Sequence, residues 1–357
     1  MDCEKIEMVA ISNRNSARQS ATVGYRTTRS TALFRWSVAH RVSLRLLFAN
    51  FEIENMRPDK GNFDRLLGAL VQAGRVLGGR QIAGRGLTVF PDDVFLVSYP
   101  RSGNTWTRFL IGNLIYQGAP VTFSNIESRI PEIYFNRDRF LRQLSRPRML
   151  KSHEPFQPHY PRVIYIVRDP RDVAVSFYHH NVKARNIPDD YPMVDFVPRF
   201  IAGEFDCKFG SWRDNVLSWI TLRGNSPAFL MLRYEDMKHD TVSALSTIAG
   251  FLELHSFRKI DTSPESLQRA IELSSPERMR ALEKKEAKTW VLTKHTRSDK
   301  PFVRSASVGG WQSSLSPESV TAIESAWGDL MQRLGYELLS TRCAESSALA
   351  PAQGSSL

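Results

Sequence analysis

Val94-Phe95-Leu96-Val97-Ser98-Tyr99-Pro100-Arg101-Ser102-Gly103-Asn104-Thr105-Trp106 is the stretch that decides the fold. Its first four residues are apolar and, Leu96 aside, β-branched or aromatic, the mark of a buried strand. After Trp106, apolar residues recur at helical spacing as far as Tyr116. The loop between them has one Gly, one Arg and several small hydroxyl or amide side chains. A strand that enters a helix through such a loop aims several backbone N–H groups, and the positive end of the helix, at one point. An anion is the natural occupant. The loop is not the common nucleoside-triphosphate pattern, which needs an earlier Gly and a Gly-Lys-Ser/Thr ending.

The same arrangement recurs downstream. Arg162-Val163-Ile164-Tyr165-Ile166-Val167 predicts a strand, Arg168-Asp169-Pro170-Arg171-Asp172 the loop, and Val173 to His180 a helix. Met149 to His153 reads as a short strand with polar residues at its end. Ala228 to Arg233 predicts a third buried strand, followed by Tyr234-Glu235-Asp236 and a helix from Thr241 to Leu252. Residues 181–209 read as a lid or cap. The closing helix between Trp311 and Tyr336 is entered at Ser316-Pro317-Glu318, where Ser caps and Pro starts the helix. Alternating strands and helices indicate an α/β fold, a parallel β-sheet with helices on both faces. Ligands of such folds sit at the carboxyl ends of the strands. Arg101, His153, Arg168 and Tyr234 all follow predicted strands there.

Composition limits the partners. The 357 residues carry a net charge of +11, which suits an anionic ligand. No dense Lys/Arg run is interleaved with aromatics, so a nucleic-acid partner is not expected. Three scattered cysteines, Cys3, Cys207 and Cys343, indicate neither a disulfide framework nor a Cys metal site and fit a reducing compartment. No apolar run reaches the ~18 residues of a membrane span, and a cytoplasmic location is expected. Residues 1–55 hold eight Lys/Arg against five Asp/Glu, with no acidic residue from Met8 to Phe51. They read as a poorly ordered basic arm; an organelle transit peptide or an upstream extension of the reading frame are the other readings. Phe63 to Leu77 predicts an amphipathic helix, and residues 341–357 a disordered tail.

With these residues assembled, the chain from Phe90 to Tyr336 resembles the sulfotransferases that use 3′-phosphoadenosine 5′-phosphosulfate (PAPS), nearest in layout to the cytosolic type. The matching stretches are Tyr99 to Trp106, Lys151-Ser152-His153, Arg168 to Ser176, Gly210-Ser211-Trp212, Tyr234 to Met237, and Phe302-Val303-Arg304 leading to Gly309-Gly310-Trp311. The resemblance implies a single P-loop-kinase-like domain over 56–340 that moves a sulfuryl group from PAPS to a hydroxyl, or an amine, of a small acceptor. It implies that Arg101, Ser102, Gly103, Asn104 and Thr105 hold the 5′-phosphosulfate. Trp106 and Tyr234 contact the adenine, with Ser274 as a further contact, and Arg168, Ser176 and Arg304 bind the 3′-phosphate. His153 is then the general base, with Lys151 and Arg101 near the bridging oxygen. No metal is required.

Two departures matter. Arg101 stands where the cytosolic family usually has Lys, so charge stabilisation rather than acid catalysis is expected from it. Arg304-Ser305-Ala306 replaces Arg-Lys-Gly, which bears on cofactor affinity. Ser319-Val320 and Glu324 resemble a short dimer motif whose Lys is missing, which leaves a homodimer open. A kinase-like phosphotransferase and an inactive nucleotide-binding protein are the alternative functions. Glu235 and Asp236 read as structural, Trp212 and Trp219 as core. Adjacent His179 and His180 diverge on a helix and are not read as ligands.

Overall fold

The computed structural model describes residues 82–83, 86–205 and 208–339. The basic arm 1–55, the helix expected over Phe63–Leu77 and the tail 341–357 lie outside the described residues. A short antiparallel pair, β1 (Ile82–Ala83) and β2 (Leu87–Thr88), comes first.

The main sheet is parallel and contains β3 (Val94–Ser98), β4 (Met149–Ser152), β5 (Arg162–Val167) and β6 (Phe229–Arg233) in the order β4-β3-β5-β6. Pairings such as Leu96↔Lys151 and Leu96↔Ile164 fix the register. Side chains alternate across the sheet. Phe95, Val97, Leu150, Val163 and Tyr165 enter one core, while Val94, Leu96, Met149, Ile164 and Ile166 enter the other. Burial on both faces explains why β3 and β5 read as unbroken apolar runs. Helix α1 (Asn104–Ile115) follows β3. Two short helices, α2 (Ile126–Arg129) and α3 (Asp138–Leu141), lead to β4. Helix α4 (Pro170–Lys183) follows β5. The chain leaves β3 toward β4 but leaves β5 toward β6. The crevice between the ends of β3 and β5 is therefore the switch point where such sheets bind ligands.

Helices α5 (Met193–Ile201), α6 (Trp212–Arg223), α7 (Tyr234–His239), α8 (Thr241–Leu254), α9 (Pro264–Leu273), α10 (Pro276–Glu286) and α11 (Pro317–Arg333) complete the fold. Their starts follow the capping chemistry. Ser211, Ser263, Ser275 and Ser316 each accept from a backbone N–H inside the first turn, and three of these helices begin with Pro. Among the described residues no helix is long and apolar enough to cross a membrane.

Two expectations need correction. Helix α5, inside the segment read as a lid, is part of the core: Phe196 and Phe200 are fully buried, and Phe200 meets Trp327 of α11 edge to face at 5.5 Å. An apolar run of this kind gains more by packing on the sheet than by covering a cleft. Strand β6 is the sheet edge rather than a buried strand, and Met231 is 38% exposed. Trp212 and Trp219 are fully buried, as expected. Phe200→Ala is expected to cost about 3–5 kcal/mol in urea denaturation. A cost under about 0.5 kcal/mol, as for a surface position, would return α5 to the lid reading.

Candidate active site

A cavity of about 450 Å³ opens at the carboxyl ends of the strands. Arg101, Gly103, Asn104, Thr105, Trp106, Lys151, His153, Arg168, Ser176, Tyr234 and Arg304 all line it. Residues more than two hundred positions apart in the chain thus share one cleft.

The loop after β3 is held open by backbone geometry. Arg101 has φ 69° and Gly103 φ 93°, so two residues adopt conformations that L side chains disfavour. At Gly103 a Cβ would lie 2.4 Å from the Tyr234 ring. Gly is therefore required twice over, by φ and by the close approach of Tyr234. Asn104 anchors the start of α1 by donating to Ser98 Oγ at 3.2 Å.

Three arginines from three loops converge. Arg101 Nε donates to Ser176 Oγ at 3.2 Å, and its guanidinium lies 4.7 Å from the Phe302 ring. Arg168 donates to Arg101 O at 3.3 Å and Ser307 O at 2.9 Å, and stacks 4.4 Å from Tyr234. Its Nε is buried without a partner. Burial, then the neighbouring Arg168 and Arg304, pull the Arg101 pKa down to about 10. Arg304 is lowered by burial and by Arg168. Cations that depress one another in this way are balanced best by a polyanion.

The loop carrying Arg304 is tied down on either side. Glu283 Oε2 accepts from Val303 N at 2.9 Å, and Asp172 accepts from Gly309 N at 2.9 Å and Trp311 N at 3.0 Å. Ala306, where the family pattern has Gly, holds φ 53° and its carbonyl accepts from Tyr234 Oη at 3.3 Å. The loop keeps a left-handed turn there despite the Cβ.

His153 sits just past β4. Its Nδ1 lies 2.7 Å from Ser98 O. A carbonyl only accepts, so Nδ1 carries the proton and Nε2 keeps its lone pair. Burial, then Lys151, hold the imidazole well below its ordinary pKa. Tyr134 Oη accepts from His153 N at 2.7 Å, and the Phe209 ring centroid lies 5.6 Å from the imidazole. Lys151 Nζ is 2.7 Å from Glu132 Oε2, with both side chains buried.

Two expected residues stand apart. Ser102 is fully buried beneath the loop and its hydroxyl has no partner. Ser274, expected at the adenine, is buried against α1. Its hydroxyl donates to Ala270 O at 2.7 Å and accepts from Asn113 at 3.0 Å, so it faces the core. Pro276, two residues on, lines the cavity instead. Glu235 accepts from Asp169 N and Tyr336 Oη, a structural part as read. Sequence reasoning missed Glu132, Tyr134, Phe135, His180, Lys208 and Phe209, which complete the wall. Glu132, Tyr134 and Phe135 lie between α1 and β4, and Lys208 and Phe209 lie in the segment read as a lid.

A four-stranded parallel sheet with a cation-lined cavity at its switch point defines an α/β protein built to hold an oxyanion. A sulfotransferase domain model matches residues 91–335, and the chain belongs to the sulfotransferase family. It is 33% identical to human sulfotransferase 2B1 over 172 residues, 45% of this chain and 46% of that protein. To human sulfotransferase 1E1 it is 29% identical over 243 residues, 62% of this chain and 78% of the relative. Mouse sulfotransferase SULT7A1 complexed with PAP shares the fold with TM-score 0.56 and 24% identity, over 79% of this chain and 95% of that one. Retinol dehydratase in complex with androsterone and inactive cofactor PAP gives 0.56 and 22%, over 69% and 82%.

Gly103→Ala is expected to cost at least about 2 kcal/mol, read by urea denaturation; an unchanged midpoint would show that the loop and Tyr234 yield freely. Stability should also depend on His153 and His180, the latter held at about 3 by burial. Both stay neutral when folded, whereas the unfolded chain takes up protons below about pH 6.5. Their contribution is full above that pH and is lost as pH falls below it. Replacing both with Phe should flatten the fall in unfolding free energy between pH 6.5 and 5.

Proposed function

We propose that this chain transfers a sulfuryl group from PAPS to a hydroxyl, or an amine, of a small acceptor, with His153 as the general base. The observation that carries the reading is the fixed tautomer of His153: Nδ1–H donates to Ser98 O, which leaves Nε2 free in the arginine-lined cavity.

The residues present suit PAPS. Arg168 has a buried Nε without a partner beside Arg101 and Arg304, in a cavity that the Trp106 and Tyr234 rings also line. Arg168, Ser176 and Arg304 would take the 3′-phosphate, and Arg168 suits a bidentate contact. The backbone N–H groups of the loop from Arg101 to Thr105, at the start of α1, would face the 5′-phosphosulfate. Trp106 offers its ring to the adenine, with Tyr234 meeting it edge-on at 5.5 Å. PAPS supplies an activated sulfuryl group whose bridging S–O bond breaks as a new bond forms from sulfur to the acceptor oxygen or nitrogen.

The protein's part is positioning and charge. His153 Nε2 receives the acceptor proton, a contribution of ~10²–10⁴-fold for a placed base. Arg101 and Lys151 stabilise charge on the departing oxygen. Arg101 keeps its proton and acts by its field alone. Tyr134 and Phe209, with ring centroids 6.3 and 5.6 Å from that of His153, shield the imidazole from water. A cytoplasmic setting suits the few scattered cysteines.

The test is transfer of labelled sulfate from PAPS to a panel of 2-naphthol, a 3-hydroxysteroid, 1-hexanol, N-acetylglucosamine and an arylamine. Transfer to at least one is expected; none at all would overturn the reading. His153→Ala should lower kcat by ~10²–10⁴-fold while calorimetry shows adenosine 3′,5′-bisphosphate still binding. Undiminished turnover would remove His153 from the base role. Arg168→Ala should weaken that binding by about 1.5–3 kcal/mol, the range for a hydrogen bond to a charged group, and an unchanged affinity would refute the 3′-phosphate assignment.

A further inference from the structure

Glu132 is the one carboxylate among the described residues that line the cavity. It faces a wall that also holds Arg101, Lys151, Arg168, Lys208 and Arg304. Its place follows from the backbone. Residues 131–133 add to the outer edge of β4 as a parallel bridge that pairs Glu132 with Lys151. Lys151 N donates to Pro131 O at 2.8 Å, and Ile133 N donates to Lys151 O at 3.2 Å. Paired positions in a ladder put their side chains on the same face. The carboxylate and the ammonium therefore meet, 2.7 Å apart, with both side chains 4% exposed.

The segment does not depend on this pair to fold. Glu132 N donates to Glu127 Oε2 at 2.8 Å, Glu132 O accepts from Asn136 at 2.9 Å, and Ile130 O accepts from Arg108 Nε at 2.9 Å. Those contacts are all made through backbone groups of the 130–132 segment. The Glu132 side chain is left to act on the cavity.

We propose that Glu132 is a positioning residue for sulfuryl transfer, holding the Lys151 ammonium in the cavity wall beside His153, where charge develops on the donor. The proposal rests on the preceding reading of Lys151. An ammonium has three donors. The ion pair with Glu132, 2.7 Å long, fixes where the head group sits, and its donors remain for the bridging oxygen. Without the carboxylate, a buried lysine either gives up its proton or turns away. The groups that face Lys151 are Glu132, Glu127 from α2, Arg108 from α1, His153 beyond β4 and His180 from α4. Burial and Arg108 lower the Lys151 pKa, while Glu132 and Glu127 oppose them. Glu132 is thus the nearest group that keeps the charge in place.

The experiment uses the full chain, PAPS and the panel acceptor that the unmutated protein sulfates fastest. Glu132→Gln keeps the side-chain shape and removes the charge. Its kcat should fall by about tenfold or more, with the KM for PAPS changed far less. The alkaline limb of kcat against pH should move lower by about one unit. Lys151→Arg, which keeps a charge that does not titrate in this range, should abolish that limb. Glu132→Asp should restore part of kcat. NMR of protein labelled with ¹⁵N-lysine gives a readout apart from activity. The Lys151 Nζ signal, assigned through Lys151→Arg, should titrate at a lower pH in Glu132→Gln. A pH profile and an Nζ titration that superimpose on the unmutated protein would overturn the proposal and leave the sulfotransferase reading standing. Loss of activity in Glu132→Gln with full activity in His153→Ala would give the proton transfer to Glu132 itself and also overturn it. No sulfate transfer by the unmutated chain overturns the reading and the proposal together.

Discussion

Mutual repulsion among Arg101, Arg168 and Arg304 is the constraint the rest of the structure answers to. Three guanidinium groups share a partly buried cleft, and each would sit more comfortably in water. They are kept there by neighbours on every side. Arg101 is fixed by a left-handed backbone turn and by Ser176. Arg168 leans on the Tyr234 ring and on two carbonyls. Arg304 rides on a loop bound by Glu283 on one side and Asp172 on the other. The fold supplies the energy for this crowding through its two apolar cores. The cleft is left with positive charge that a phosphorylated ligand neutralises.

The same packing sets the state of the imidazole proposed as the base. His153 is kept neutral because burial beside Lys151 disfavours a second positive charge. It is kept in one tautomer because β3 presents the Ser98 carbonyl to Nδ1. Neither effect belongs to the histidine alone. A depressed pKa makes a weaker base but a reliably unprotonated one, which suits a loose transfer in which positioning carries most of the acceleration. Glu132 and Lys151 add a second paired element to the same wall.

Much of this was legible in the chain. β3 and β5 are buried on both faces, so their apolar runs are continuous and unambiguous. The start of α11 was legible because Ser316-Pro317 carries its own capping chemistry. The strand-end positions of Arg101, His153 and Arg168 followed from the α/β pattern, since such strands end on the same side of the sheet. Less was legible where side chains serve a tertiary neighbour. Phe196 and Phe200 form an apolar stripe that fits a lid or a core equally well until α11 is placed beside it. The family resemblance put Ser274 at an adenine contact, yet its hydroxyl is spent on Asn113 and Ala270. Glu132 carries no local signal, because its meaning comes from a single bridge to β4.

Sequence alone determined the alternation of strands and helices, the loop that gathers N–H groups, and the order of cationic residues at the strand ends. These depend on local periodicity, φ preferences and side-chain chemistry, which act over a few residues. Tertiary structure decided which of those residues face one another: Lys151 with Glu132, His153 with Ser98, Gly103 with Tyr234. Such pairings depend on sheet register and on loops closing from opposite ends of the chain, and no short-range pattern encodes them.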